Sequence, residues 1–281
     1  MPGAIVAGEQ VTSWLSPEEK QFLIGRQRFA RFDENNRGEM VKEQDGFSWN
    51  AARSAFRSFH TYAVAAIEFT VAVVVYGISF VLPTIVEDLG YSDVKAQAMT
   101  APPYVFACIV TILSGVAADR YRTRMLSVAV PNIMAVVGFI VIIACVRYSS
   151  VSGVTYFGIF LMAGGLYPIS PAVMAWTALN MAGSMKRAVG MALMMSISQL
   201  GGIVGSNIFI TSEAPTYPVG FGIGLGMLVV FGVIWPVIYY CILKQTNARR
   251  ASIPEQEVLA RYTYQQLAAM GDESPLFRYA L

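Results

Sequence analysis

Charged residues are scarce in this 281-residue chain: Asp, Glu, Lys and Arg make up 14% of it, against roughly 25% in soluble domains. The shortage is uneven, because only one of the 18 acidic residues, Glu68, lies inside a long apolar run. Hydrophobic residues account for 55% of the chain, and its mean hydropathy is +0.52. These values exclude an ordinary soluble domain and predict a polytopic membrane protein. A net charge of only +2 does not indicate a nucleic-acid partner.

Histidine and cysteine, which bind metals and act in catalysis, are also scarce. The only histidine, His60, stands at the entry to the first apolar run, and the three cysteines lie within apolar runs without CxxC spacing. HExxH, GxSxG and phosphate-loop motifs are missing, as is a pair of carboxylates within the apolar runs. The sequence therefore predicts no enzyme, no metal site, no cofactor and no disulfide framework. The opening MPGAIVAGEQ lacks a basic region before an apolar stretch, so no cleavable signal peptide is expected.

Six apolar runs dominate what is present. Each meets the need for roughly 20 mostly apolar residues per membrane crossing, and the short connections predict that neighbouring helices run antiparallel. The predicted spans are 61–86, 98–118, 125–146, 153–178, 188–211 and 219–243. The sequence thus predicts an all-α integral membrane protein whose residues 61–243 form a bundle of six transmembrane helices.

The flanking segments are polar. Residues 1–60 are predicted to form a cytosolic loop with amphipathic helices, one of which begins at SPEE (16–19) with Ser16 as its N-cap. A second begins at Ser48 and carries aromatic residues at helical spacing with arginines between them. This pattern is typical of a helix that lies on a membrane surface, although packing on another cytosolic loop would give it too. Residues 244–281 are predicted to be a cytosolic tail, partly helical over 254–269.

The distribution of basic residues predicts the orientation. If residues 1–60 are cytosolic, 18 of the 20 basic residues fall on that side of the membrane, and only Lys95 and Arg147 fall outside. Cytosolic loops carry the excess of Lys and Arg in membrane proteins. Both termini are therefore expected in the cytosol, and the plasma membrane is the expected location.

Glu68 is the clearest functional candidate. It lies about seven residues, or ~10 Å, inside the first span. An ionisable group in a membrane span is costly and is by default a functional candidate. A carboxyl there could bind and release a proton as its surroundings alternate between wet and dry, which makes Glu68 a candidate for proton coupling. The alternative is a carboxyl near the cytosolic interface that is hydrated or paired with a basic residue of an adjoining loop.

A polar stripe recurs on three spans. Ser196, Gln199, Ser206 and Asn207 share one face of the fifth span, since spacings of 3, 7 and 8 residues return near the same azimuth. If such residues face a water-filled cavity, they bind a polar solute; if they face each other, they are interhelical hydrogen bonds worth roughly 0.6 kcal/mol each. We take the first interpretation for the set. The candidates for a substrate cavity are Tyr76, Tyr156, Tyr167, Gln199 and Asn207.

Small residues and prolines interrupt several spans. Gly201 and Gly205 form a small-xxx-small pair, which lets helix backbones approach closely. Prolines within the spans remove backbone hydrogen bonds and tend to kink helices; they include Pro83, Pro131, Pro168 and Pro236. Helices with proline kinks and glycine contacts are typical of bundles that change conformation, although a static bundle uses the same residues.

The segment GVAADRYRTR (115–124) resembles the loop signature of the major facilitator superfamily. Gly115, Asp119, Arg120 and Arg124 fit that signature, whereas Arg122 stands where its second glycine would be. Other segments extend the resemblance from about Trp14 to the end of the chain. Together they are similar to the second half of transporters in the anion:cation symporter branch, the allantoate-permease-like group; they are FVLPTIVEDLGYS (80–92), TAPPY (100–104), WTALNMAGSMKRAVGMAL (176–193), GGIVGSNIF (201–209) and GDESPLFRYAL (271–281).

The resemblance implies an architecture and a mechanism. The six spans would be helices seven to twelve of a twelve-helix transporter, the C-terminal half of a major facilitator fold, and residues 1–60 its central cytosolic loop. The family moves small organic anions, often with protons, by alternating access between two six-helix halves. Its loop acid and bases, here Asp119, Arg120 and Arg124, help to hold and release a cytosolic gate, and Lys186 and Arg187 match the next cytosolic loop.

The expected function is therefore proton-coupled symport of small organic anions by a half-length transporter, with the lipid bilayer, an organic anion and a proton as partners. The chain is either a truncated or mis-bounded piece, or it pairs with a second six-helix half, from another copy or a full-length relative. The alternative is a non-transporting membrane protein that acts as a partner or regulator of full-length transporters.

Overall fold

The computed structural model describes residues 49–88, 90, 93–121, 123–146, 152–213, 216–263, 266–267 and 270–281. The helix predicted at 16–19 lies outside these residues. The described part consists of helices joined by short connections and ends in a largely non-helical segment, and its α-helical and π-helical elements follow in chain order: α1 Trp49–Arg57, α2 Phe59–Asp88, α3 Asp93–Tyr121, α4 Arg124–Cys145, α5 Ser152–Leu166, α6 Ile169–Asn180, α7 Ser184–Ile208, α8 Pro218–Met227, a π-helical segment Leu228–Ile234, α9 Trp235–Ala251 and α10 Glu255–Arg261.

Six helical stretches in the described part are long and apolar enough to cross a membrane, as predicted. They are Phe59–Glu87, Val94–Tyr121, Arg124–Cys145, Ser152–Asn180, Ser184–Ile208 and Pro218–Ala251. In hydrocarbon every backbone polar group must find an internal partner, so an apolar run of this length forms a helix. The predicted all-α six-helix membrane fold is confirmed.

Two spans differ in detail from continuous α-helices. The fourth divides into α5 and α6 at Tyr167 and Pro168, because proline has no N–H to donate within a helix. Pro171 is tolerated nearby, since it lies in the first turn of α6, where backbone N–H groups have no helical partner. The last span contains the π-helical segment, in which Gly232 packs against the buried Asn132 of α4.

The most extensive helix contacts in the described part are those of α2 with α7 and of α4 with α5. Glycines make the first contact close: a Cβ at Gly201 would lie 2.6 Å from the carbonyl oxygen of Phe69, and one at Gly205 would overlap the carbonyl oxygen of Val73. Within its most apolar 18-residue window α2 is 61% buried, whereas α3 is 17% buried. The helix that carries Glu68 is therefore central, and α3 is peripheral.

Helix α1 precedes the first span and packs on α7. Ala52 and Ala55 form its buried face, while Trp49 and Phe56 are exposed together with Arg53 and Arg57. This combination of exposed aromatic and basic residues matches the composition of helices at membrane interfaces. Its location on a membrane surface stays a prediction.

Candidate functional site

A cavity of about 190 Å³ lies between α2, α7 and the α5–α6 break. Apolar residues such as Val71, Leu166 and Met195 form part of its wall. Its polar members are Glu68, Tyr76, Tyr167, Ser170, Ser198 and Gln199. Four of the six candidates for proton coupling and substrate binding, on three different spans, therefore line one cavity.

Glu68 is the most buried polar group of this cavity, with 2% of its surface exposed. Ser170 of α6 donates a hydrogen bond to its Oε1, and Ser198 of α7 donates one to its backbone carbonyl oxygen at 3.2 Å. Oε2 has no hydrogen-bond partner among the described residues. Within the same part of the chain no basic side chain forms an ion pair with Glu68. An unpaired buried carboxylate is costly, so this oxygen is poised to take a proton or a ligand's donor group.

The other cavity side chains form a wall that reaches the surface of the bundle. Tyr76 of α2 and Gln199 of α7 are both exposed, and the Tyr76 hydroxyl donates to Gln199 Oε1 at 2.9 Å. Tyr167, at the break between α5 and α6, packs edge-on against the ring of Tyr104, with the ring centroids 5.5 Å apart. The cavity thus runs from an exposed tyrosine–glutamine pair to the buried carboxyl.

Two predicted cavity residues lie elsewhere. The hydroxyl of Tyr156 donates to the backbone oxygen of Met99 at 2.8 Å, which links α5 to α3. Asn207 is exposed and donates to the backbone oxygen of Ile203 at 2.7 Å, within its own helix. Neither residue lines the cavity that holds Glu68.

Within the 115–124 segment, residues 115–121 belong to the end of α3, and Arg124 begins α4. Arg124 and Asp119 form an ion pair in which Nη2 lies 2.9 Å from Oδ1, and the Asp119 side chain is 75% exposed. Gly115 and Arg120 are exposed, and a Cβ at Gly115 would meet open space. Of the four residues that fit the loop signature, the structure brings together Asp119 and Arg124.

Comparison with known proteins now identifies the family. The profile of the Major Facilitator Superfamily matches residues 32–269. The chain belongs to the Major Facilitator Superfamily. Its relatives include the MFS-type transporter cnsO of Penicillium expansum, 37% identical over 96% of this chain and 51% of that protein. Another is the high-affinity nicotinic acid transporter of Saccharomyces cerevisiae, 27% identical over 95% of this chain and 48% of that protein.

Membership of the superfamily confirms the predicted transporter family and the prediction that the chain is not an enzyme. It also makes this an integral, multi-pass membrane protein. The chain spans about half the length of the curated relatives it matches.

Ser198 lines the cavity but does not belong to the polar stripe that the sequence predicts on the fifth span. The buried face of α7 runs through Gly190, Met194, Ser198, Gly201 and Gly205, at spacings of four and three residues. Ser198 therefore shares its face with the glycine pair that was recognised from the sequence. Extending that pair by one turn towards the N-terminus would have identified it.

Proposed function

We propose that this chain is the C-terminal six-helix half of an anion:cation symporter that moves small organic anions together with protons by alternating access. The observation that carries the proposal is Glu68. It is a buried carboxyl within a membrane span and lines the cavity; one of its oxygens accepts from Ser170, and the other is buried without a hydrogen-bond partner among the described residues. A static bundle has no need of such a costly group.

Charge repulsion supports coupling to a proton. Among the described residues that line the cavity none is basic, so an anion entering it would meet an unpaired carboxylate. Two unit charges about 4 Å apart repel by about 4 kcal/mol at an effective dielectric constant of about 20. A proton on Glu68 removes this repulsion and supplies an O–H donor for the anion. Release of the proton after the cavity opens to the other side would then expel the anion.

The lining of the cavity supports a small organic substrate with an apolar body. Val71, Leu166 and Met195 offer apolar contacts, while Tyr76 and Gln199 offer hydrogen bonds. A relative is a high-affinity nicotinic acid transporter, and nicotinic acid is a small acid of this kind. We therefore propose small organic acids as the substrate class.

The excess of basic residues on one side supports an orientation. With the 115–124 segment in the cytosol, 18 of 20 basic residues lie on the cytosolic side. We propose that both ends of this chain are cytosolic and that the protein works in the plasma membrane. Asp119, Arg120 and Arg124 then lie where a cytosolic gate would be held and released.

The test is Glu68→Gln, which keeps the shape of the side chain and removes its titratable proton. Labelled nicotinic acid is the first probe, in cells that also express the first six-helix half of a full-length relative. We expect uptake driven by a pH gradient to fall at least about tenfold, because glutamine cannot bind and release the proton that would couple transport to the gradient. The matched control is Glu87→Gln, the same change at an exposed carboxyl of the same helix. Unchanged, pH-dependent uptake by the Glu68 variant would remove this residue from the mechanism.

A further inference from the structure

We propose that residues 271–281, called the strap here, tie the ends of α4, α6, α7 and α9 together and position Arg124 in the 115–124 segment. The strap lies at the end of the bundle that carries this segment. Neither the proton site nor the substrate cavity requires it. Its contacts involve side chains of α6, α7 and α9 and a backbone group of α4.

Helix α6 holds the strap at Ala280. The side chain of Asn180 bonds both backbone groups of that residue: Oδ1 accepts from the Ala280 N–H at 2.7 Å, and Nδ2 donates to its carbonyl oxygen at 3.2 Å. Trp176 Nε1 donates to the same oxygen at 3.0 Å. Trp176 and Asn180 are at most 1% exposed. If the strap left, these buried polar groups would lose their partners, which carries a full desolvation cost.

Helix α9 holds the strap in the same way at Tyr279, the residue before Ala280. Asn247 Oδ1 accepts from the Tyr279 N–H, and Asn247 Nδ2 donates to the Tyr279 carbonyl oxygen, both at 2.9 Å. One turn further along α9, Arg250 donates to the carbonyl oxygens of Phe277 and Asp272, again at 2.9 Å. Its guanidinium carbon lies 4.7 Å from the centre of the Tyr279 ring. Two asparagines on two helices therefore fix the register of the strap residue by residue.

Helix α7 supplies a buried ion pair. Lys186 Nζ lies 2.7 Å from Asp272 Oδ1, with side-chain exposures of 7% and 1%. Glu273 lies 3.6 Å from the same nitrogen but is 68% exposed. Charges removed from water must be paired, and loss of one partner leaves the other uncompensated. Asp272 is therefore the residue on which the position of Lys186 depends.

Tyr279 is the packing centre of the strap. Its ring centroid lies 4.5 Å from that of His60, at the start of α2. Its hydroxyl donates to the Asp272 carbonyl oxygen at 3.1 Å, so the strap folds upon itself. Burial, the largest effect, raises the pKa of this hydroxyl, while the Arg250 charge opposes that shift. The group therefore stays a neutral donor at physiological pH.

The last contact links the strap to the proposed gate. The carbonyl oxygen of Leu281 accepts from the backbone N–H of Arg124 at 2.7 Å. This N–H is the first of α4 and has no partner within its helix. The side chain of the same residue holds Asp119. An ordered strap thus fixes the backbone from which the Arg124 guanidinium reaches its carboxylate.

The first measurement is hydrogen exchange of the full chain in lipid nanodiscs, which requires no transport activity. Asn247→Ala removes both bonds to Tyr279, so we expect about tenfold faster exchange of the Tyr279 and Ala280 amides. Asp272→Asn leaves Lys186 buried without its charge partner, and about a hundredfold faster exchange is expected. The matched controls are Asn207→Ala, whose hydrogen bonds stay on its own helix turn, and Glu273→Gln, the exposed neighbour of the same lysine.

The second measurement separates a positioning role from a merely structural one. A cysteine is placed at Thr123, beside Arg124, in a background without Cys108, Cys145 and Cys241. We expect its labelling by a maleimide to accelerate about tenfold in Asn247→Ala, in parallel with the amide exchange, and to stay unchanged in both controls. Faster exchange with unchanged labelling would overturn the link to the 115–124 segment. Asn247→Ala leaves no buried charge unpaired, so it tests the strap even if Asp272→Asn does not fold. Unchanged amide exchange in Asn247→Ala would overturn the proposal that the strap ties the helix ends together.

Discussion

At the scale of single residues, the ion pair of Asp119 and Arg124 combines a short distance with a highly exposed carboxylate. Such a pair is worth only about 0–1 kcal/mol, because water competes for the exposed charge. A contact this weak can stabilise a closed gate and still break readily when the gate opens. Glu68 is the opposite case: because it is buried, a charge on it is expensive, and we propose that a proton or a ligand neutralises it.

Asp119→Asn should therefore shift the balance between the outward-open and inward-open states without unfolding the protein. We expect the labelling rate of a cysteine at the exposed Ser206 position to change about two- to fivefold, which corresponds to the loss of up to about 1 kcal/mol. The matched control is Glu257→Gln, which breaks the exposed pair of Glu257 with Arg261. Equal labelling in the Asp119 variant and the unmodified protein would mean that the segment serves only to turn the chain.

At the scale of elements, the close contact between α2 and α7 depends on glycine. The α2–α7 pair carries Glu68, Tyr76, Ser198 and Gln199, so the spacing of these two helices sets the width of the cavity. Gly205 lies where a side chain would meet the backbone of Val73. Because backbone atoms cannot rotate away, the helices themselves would have to separate.

Gly205→Ala should accordingly lower thermal stability, at a cost of about 1–3 kcal/mol for overpacking. Gly222→Ala is the matched control, since a Cβ there meets nothing within 4 Å. This control should be neutral or stabilising by up to about 1 kcal/mol, because alanine favours a helix more than glycine does. The measurement is the melting temperature of each variant in the same detergent. Equal losses at both positions would contradict the close approach of α2 and α7.

At the scale of the whole molecule, one side of the cavity is open. Tyr76 is 42% exposed, and the neighbouring surface of α7 carries the exposed apolar residues Leu200 and Ile203. In a bilayer the polar groups of this surface would meet lipid, which cannot satisfy their hydrogen bonds. A second six-helix half would cover them and supply the rest of the cavity.

We therefore expect that the purified chain is a monomer without transport in proteoliposomes, and that co-expression with the first half of a full-length relative restores uptake driven by a pH gradient. The measurements are the oligomeric mass in detergent and the uptake of a labelled panel of small organic acids. A dimer that transports by itself would show instead that two copies assemble a transporter. Co-purification with a full-length relative, without uptake in any combination, would favour the regulatory alternative.

Features that depend on local sequence could be predicted, whereas contacts between side chains on different helices could not. Hydropathy located all six spans, and the spacing of Gly201 and Gly205 located a close helix contact, that of α2 with α7. Helical spacing also grouped polar residues by face, but it could not say which neighbour each face meets. Tyr76, Tyr167 and Gln199 reach the cavity of Glu68, whereas Tyr156 reaches Met99 and Asn207 bonds its own helix. The rotation of each helix about its axis makes this difference.

The amino-acid sequence by itself determined that this is a membrane protein with six spanning helices, and it identified Glu68 as a candidate functional residue. The reason is that the cost of exposing backbone groups or a charge to hydrocarbon depends only on local composition. The tertiary structure alone decided the partner of that carboxyl and the site where the strap docks. Ser170 lies 102 residues from Glu68, and Ala280 lies 100 residues from Asn180. Hydrogen bonds over such separations depend on how helices pack, and no periodicity along the chain encodes them.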